Sequence, residues 1–369
     1  MSEISSSRVR AIFLIVAVVL GLATVGLVYM FDSQFTGESN GGKNDVLSVT
    51  GELYGETDDS PSTRDAGPLF FATMTHMEGS LTDDVNEVMF LKHVDALRFA
   101  MDLADEYKAS LTIESEKPFA RANVNWGVNI MKEILDRGHG VGTHCDIGFN
   151  KTATSVTAFA AEFKENKSLV DALVGATNNV GCSGGGSSVD WVLAASQAGF
   201  KYIDGVVGMH YLAMDISNRP SGSWTDAFIR KDGYHYAAPF NLADRISVFG
   251  LADATDFNED TDWKIAVLAG ELGALQNMSE GDAEKCTRIC PLTNADIDAL
   301  VQQIHEAVTL RDSSHVSKLD VYLTVNLFTP ENEDVLRYFF SEVEKLADQG
   351  VITWATQKEI YEAFVAFQE

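Results

Sequence analysis

The chain has 369 residues, of which 46% are hydrophobic and 22% charged, so it has enough apolar material for a large core and global disorder is excluded. A formal net charge of −27 excludes nucleic acid as a partner and gains little from anionic lipid headgroups. The length fits one barrel of about 250–300 residues as well as two or three smaller domains.

Residues 1–10 carry Arg8 and Arg10 just ahead of an uncharged run from Ala11 to Met30. At ~1.5 Å per residue such a run spans a ~30 Å hydrocarbon core, so residues 11–31 are expected to form a transmembrane anchor. Asp32, Glu38 and Asp45 follow it. The positive-inside rule then leaves the N-terminus cytoplasmic and sends the main domain across the membrane. A cleaved signal peptide is the alternative, but the run is long for one and no small-x-small site follows Met30. Residues 32–66 are rich in Gly, Ser and Asp and read as a polar linker, with at most a short strand at Val46–Tyr54.

The folded domain is expected over residues 67–369. Leu69–Met74 reads as a buried strand. Val85–Tyr107 reads as a helix with Val88, Leu91, Val94 and Leu97 on its buried stripe. Ser110–Ile113 is a strand, Asn123–Leu135 a helix stopped by Gly138, and His139–Cys145 the next strand. Val156–Val174 is helical, and Val180–Cys182 is a strand running into a glycine-rich turn. Ser188 is the expected cap of a helix beginning at Asp190 and ending near Gly199. FKYIDGVV follows as a strand. Residues from about Met209 to Thr293 read as long insertions over one face. Asn294–Leu310 is an amphipathic helix, Leu319–Leu327 a strand and Glu333–Leu346 a helix. Val351–Trp354 is the last strand, and Thr356-x-x-Glu359 is a capping box opening the last helix. This alternation predicts an α/β fold with a mainly parallel sheet, and its six or seven units favour a barrel.

Two motifs end strands. THMEGS runs from Thr75 to Ser80, and GHGVGTHCDIG from Gly138 to Gly148. They offer His76, Glu78, His144 and Asp146 at strand C-termini, which in a parallel barrel converge on one face. Imidazole and carboxylate together suit Zn²⁺ or a similar divalent ion. Such an ion makes water nucleophilic near neutral pH and polarises a carbonyl, while a carboxylate outside its ligand set takes the proton. Glu78 and Asp146 are the candidate catalytic carboxylates. His139 is expected to hydrogen-bond the preceding turn. A third element, GCSGGGSSVDW, brings Cys182, Ser183, Gly184 and Gly185 forward as candidate substrate contacts, since consecutive glycines allow close backbone approach. Trp224 and Tyr236 are candidate substrate-binding aromatic residues in the insertions. Cys286 and Cys290 are expected to form a local disulfide outside the cytoplasm, and Cys145 and Cys182 can pair across neighbouring strands. Asn150, Asn166 and Asn277 begin N-x-S/T triplets, which are frequent by chance.

On these residues the chain resembles the polysaccharide deacetylase superfamily, the NodB-homology barrel. Its second motif, G-H-E-[IV]-G-x-H, reads G-H-G-V-G-T-H here, with His144 in the place of the first metal-binding histidine. Its first motif, T-F-D-D-G, reads Thr75-His76-Met77-Glu78-Gly79, with Glu78 matching the metal-binding aspartate. GVITWATQKEIYEAF is similar to the closing strand and helix of such domains. Met77 stands in the place of the family's base aspartate, Gly148 in that of its second metal histidine, and Asn326 in that of its late histidine. Its later Arg-x-Pro motif has no clear match, and CSGGGS stands in that region. The resemblance covers roughly residues 68–369. It implies a distorted (β/α) barrel, a divalent metal cofactor such as zinc, and removal of acetyl groups from cell-surface glycans. The alternatives are a non-catalytic glycan-binding or surface-assembly protein, and a glycoside hydrolase working through Asp204 and Glu271.

Overall fold

A computed structural model describes residues 69–78, 82–145, 154–235, 246–279, 291–312 and 314–369. The expected anchor and linker, Asp146, Tyr236, Cys286 and Cys290 lie outside the described residues. Among the described residues no helix is long and apolar enough to cross a membrane.

The fold is mixed α/β around a ten-stranded sheet. Strands β1 (Leu69–Met77), β2 (Thr112–Ser115), β3 (Gly140–His144), β4 (Gly181–Ser183) and β5 (Tyr202–Asp204) run parallel, each beside the next. Strand β7 (Ile265–Leu268) continues them in parallel, and β6 (Val248–Leu251) pairs with it antiparallel. On the other side of β1 lies β9 (Ser317–Tyr322), itself flanked by β8 (Glu271–Ala274). Strand β10 (Ile352–Trp354) pairs with the start of β1. A bridge from Ser247 to Ser317 joins the start of β6 to β9, so the strand order returns on itself. Residues expected to lie wholly in insertions therefore supply three strands. Before them, Gly208–Ala213 and Ile216–Asn218 form short 3₁₀ turns.

Helices α1 (Glu87–Glu106), α2 (Lys117–Asn125), α3 (Ile130–Asp136), α4 (Val156–Val174) and α5 (Trp191–Ala198) follow β1 to β4. Helices α6 (Asn294–Leu310), α7 (Glu333–Asp348) and α8 (Gln357–Gln368) follow later in the chain. The ends obey local rules. Asn86, Ser155 and Asp190 cap α1, α4 and α5 through their side chains. Asp190 thus takes the role expected of Ser188. Thr356 and Glu359 form the expected capping box. The helix expected over Asn123–Leu135 is two helices, because Gly127 adopts φ +71° and Asn129 caps a fresh start.

The buried face of α1 is also corrected. Val88 is 80% exposed and Leu91 40%, while Phe90, Val94, Leu97 and Met101 are buried. Residues three apart advance by about 300°, so a stripe built only on that spacing drifts around the helix, and Val88 lies opposite Leu97. Burying side chains such as Phe90 and Leu97 contributes about 1.5–3 kcal/mol each. Nδ1 of His93 lies 2.7 Å from Oδ1 of Asp83, and Trp126 Nε1–H donates to the Asp83 carbonyl. These contacts hold the segment after β1 against α1 and the α2–α3 corner. The expected strand Leu319–Leu327 stops at Tyr322 and turns into a 3₁₀ segment, Val325–Leu327.

Strand alternation sorts the side chains. Phe71 and Met77 of β1, Ile113 of β2 and Val141 of β3 pack in the same apolar cluster as Phe90, Leu97 and Phe339 of the helices. Their neighbours face the other way. Ala72 joins Tyr202, Val248 and Leu268 in a separate inner cluster. By the same alternation His76, Glu114, His144, Ser183, Asp204, Lys318 and Asp320 point inward. Lys318 and Asp320 are fully buried, with Nζ 2.7 Å from Oδ2, and Lys318 also donates to the Leu268 carbonyl. Gln357 Nε2–H donates to the same Asp320 oxygen.

Candidate metal centre

His76 is the last inward residue of β1, and Glu78 leaves that strand on the same side. His144 ends β3. The three side chains converge, each offering one donor atom, and these atoms lie within 4.8 Å of one another. The two imidazoles stack with centroids 4.0 Å apart and planes 18° apart. Two imidazoles and a carboxylate form a donor set suited to a zinc-like ion, so the residues present fit the group that the motifs imply. His144 is buried, and the other two are half-buried.

Each imidazole has a fixed neighbour on its far side. Nδ1 of His144 lies 2.8 Å from Ser183 Oγ, and Nε2 of His76 lies 3.2 Å from Glu114 Oε2. Asn166 Nδ2–H donates to the His144 carbonyl, so this residue of an N-x-S triplet is buried and serves the strand. Glu116, just past β2, places Oε1 3.9 Å from Nε2 of His144. The Tyr322 ring packs against His76 in a tilted contact with centroids 4.8 Å apart, and its hydroxyl donates to Glu78 Oε1 at 3.5 Å.

The acidic residues beneath are fully buried. Burial pushes the Glu114 carboxyl up to about 7, against the lowering effects of the Ser183 hydroxyl, Asp204 and the Lys318 charge. Burial, followed by the adjacent Glu114 charge, pushes Asp204 well above its ordinary value. Burial likewise raises Asp320, against the charge of Lys318. Gly142 gives Glu114 its space, because a Cβ there would lie 2.8 Å from Oε1.

Other expected site residues take different places. Cys182 is corrected as a substrate contact: it is bonded to Cys145 and fully buried among Phe159, Phe163 and Ala195. This is the cross-strand disulfide, with Cα atoms 5.8 Å apart. Ser183 is buried and holds His144. Gly184 and Gly185 adopt φ +65° and +84°, as a glycine turn permits. Their close approach is to the protein itself. His210 Nε2 lies 3.1 Å from the Gly184 carbonyl, and a Cβ on Gly185 would lie 2.9 Å from the Phe163 ring. Trp224 is half-buried between Tyr211 and Phe228. Met77 is fully buried under the helices, facing away from His76. His139 is buried and accepts from the Leu111 N–H. Of the glycosidase pair, Asp204 is fully buried and Glu271 lies against Gly205.

Sequence reasoning missed Glu114 and Glu116. Their alternation at the end of TIESEK, with Gly142 on the neighbouring strand, was the available signal.

No protein-family model and no curated protein sequence matches the chain. Solved structures do match in shape. A protein described as a polysaccharide deacetylase from Mycobacterium smegmatis superposes with a TM-score of 0.52 at 12% identity, over 86% of this chain and 96% of its own. The PuuE allantoinase superposes with a TM-score of 0.51 at 12% identity, over 87% of this chain and 98% of its own. Over most of its length, the chain has a fold similar to that of the polysaccharide deacetylases.

Proposed function

We propose that the chain is a metal-dependent hydrolase that removes acetyl groups from glycans. The carrying observation is the convergence of His76, Glu78 and His144 donor atoms within 4.8 Å at strand C-termini. The similarity in fold to polysaccharide deacetylases supports the reaction class. A divalent ion, zinc by the donor set, supplies an acidified water and polarises the acetyl carbonyl when bound. Glu116, 3.9 Å from His144 Nε2, is placed to accept that water's proton and return it to the leaving group. Met77 cannot do this. Asp146, two residues after His144, is a further candidate carboxylate on the same segment. Tyr322 orients Glu78 through its hydroxyl. Tyr236 remains a candidate sugar contact.

The test is acetate release from N-acetylated and O-acetylated oligosaccharides, with and without prior chelation. Release that stops on chelation and returns with zinc supports the reading. Glycan binding without release favours the non-catalytic alternative, which the inaccessible Met77 gives some support.

The placement belongs to the same reading. The apolar run Ala11–Met30 behind Arg8 and Arg10 anchors the chain with its main domain outside the cytoplasm. The Cys145–Cys182 disulfide fits an oxidising compartment, and Cys286 and Cys290 would be oxidised there too. A C-terminal reporter that works only inside the cytoplasm would contradict this placement if it were active.

A further inference from the structure

His76 meets a carboxylate, Glu114, from a strand that neither motif contains. Glu114 is the inward residue of β2, paired in register with His76 on one side and with Gly142 on the other. Oε2 of Glu114 is 3.2 Å from Nε2 of His76. Ser183, whose hydroxyl meets Nδ1 of His144, also acts on the Glu114 carboxyl. Gly142 leaves open the volume that Glu114 fills, since a Cβ there would fall 2.8 Å from Oε1. The carboxylate has no exposed surface. It is therefore built into the wall behind the site.

We propose that Glu114 is a positioning residue whose carboxylate charge, 3.2 Å from Nε2 of His76, favours the proton on that nitrogen and turns Nδ1 toward the site. His144, with Nδ1 engaged by Ser183, offers Nε2 instead. The centre thus takes one imidazole through each kind of ring nitrogen. A metal-binding imidazole commonly gives its other ring N–H to a carboxylate or similar acceptor, which fixes the ring and makes the ligand nitrogen more basic. The consequence for metal affinity rests on the function proposed above, whereas the tautomer does not.

The experiment uses the full chain with ¹⁵N-labelled histidine, kept metal-free at about pH 8, where an ordinary imidazole is neutral. Long-range ¹H–¹⁵N correlation reads the tautomer, and His76→Gln identifies the signal. The parent is expected to show His76 protonated on Nε2. Glu114→Gln is expected to shift His76 toward mixed tautomers and to leave the His144 signals in place. Cobalt(II) titration then reads affinity, expected to fall about 10–100-fold in Glu114→Gln. Gly142→Ala, which displaces Glu114 without removing it, is expected to act in the same direction. A parent His76 protonated on Nδ1 overturns the proposal, as does an unchanged His76 signal in Glu114→Gln. A parent with the Nε2–H pattern that binds no cobalt supports the positioning role and sinks the metal reading.

Discussion

Nδ1 of His144 lies 2.8 Å from Oγ of Ser183, and each residue is the chain neighbour of one half of the Cys145–Cys182 disulfide. The covalent link thus fixes the ends of β3 and β4 at the point where the site begins. Its halves are 37 residues apart, a loop whose closure is worth about 4 kcal/mol in the chain-entropy account. Replacing both cysteines by serine is expected to lower unfolding free energy by about 2–4 kcal/mol in urea titrations. A loss below about 0.5 kcal/mol, the size of an ordinary surface substitution, would show that the link carries no stability.

The Lys318–Asp320 pair makes a second prediction. Both side chains are fully buried, and Asp320 also accepts from Gln357. Removing one partner leaves an uncompensated charge, which costs about 3–5 kcal/mol. Asp320→Leu is expected to cost that much in denaturant unfolding. Lys318→Met combined with Asp320→Leu is expected to cost less, because no lone charge remains. If the double variant were the less stable of the two, the pair would not act as a charge-compensated unit.

His139 gives a pH signature. Its Nδ1 accepts from the Leu111 N–H, and burial holds its pKa below the ordinary value of 6.5, against the pull of Asp105. The unfolded chain takes the proton at about 6.5, while the folded chain resists it until lower pH. The stability from neutral His139 is therefore present above that point and is lost as pH falls toward the folded value. His139→Asn, which keeps an acceptor, is expected to lose less stability than the parent between about pH 7.5 and pH 5.5. Comparing the two proteins isolates His139 from Glu114 and Asp204, whose raised values act in the opposite sense. Equal losses would remove His139 from the account.

Much of this was legible because local rules survived burial. Helix α4 spans Val156–Val174 as its apolar spacing predicts, and the Thr356 capping box opens α8. The convergence of His76, Glu78 and His144 followed from placing both motifs at strand ends. What failed had physical causes. Val88 and Leu91 lie on a stripe that spirals away from the core. The run after Tyr322 has strand-like composition but bends into a 3₁₀ turn. Glycines 184–186 read as a ligand cradle, yet the Met209–His210 backbone fills the space against Gly186. Glu114 is not legible in the sequence because an acid in a short strand normally faces water. Only the closed sheet, with Gly142 beside it, makes that position an interior one.

The central claim is that His76, Glu78 and His144 hold one ion together. Metal content by elemental analysis of the purified chain tests it most directly, beside His144→Ala and Glu78→Ala, with circular dichroism to confirm the fold. The account predicts about one tightly bound divalent ion per chain in the parent, and loss of most of it in both variants with the fold retained. A parent without metal, or unchanged metal in both variants, would contradict it.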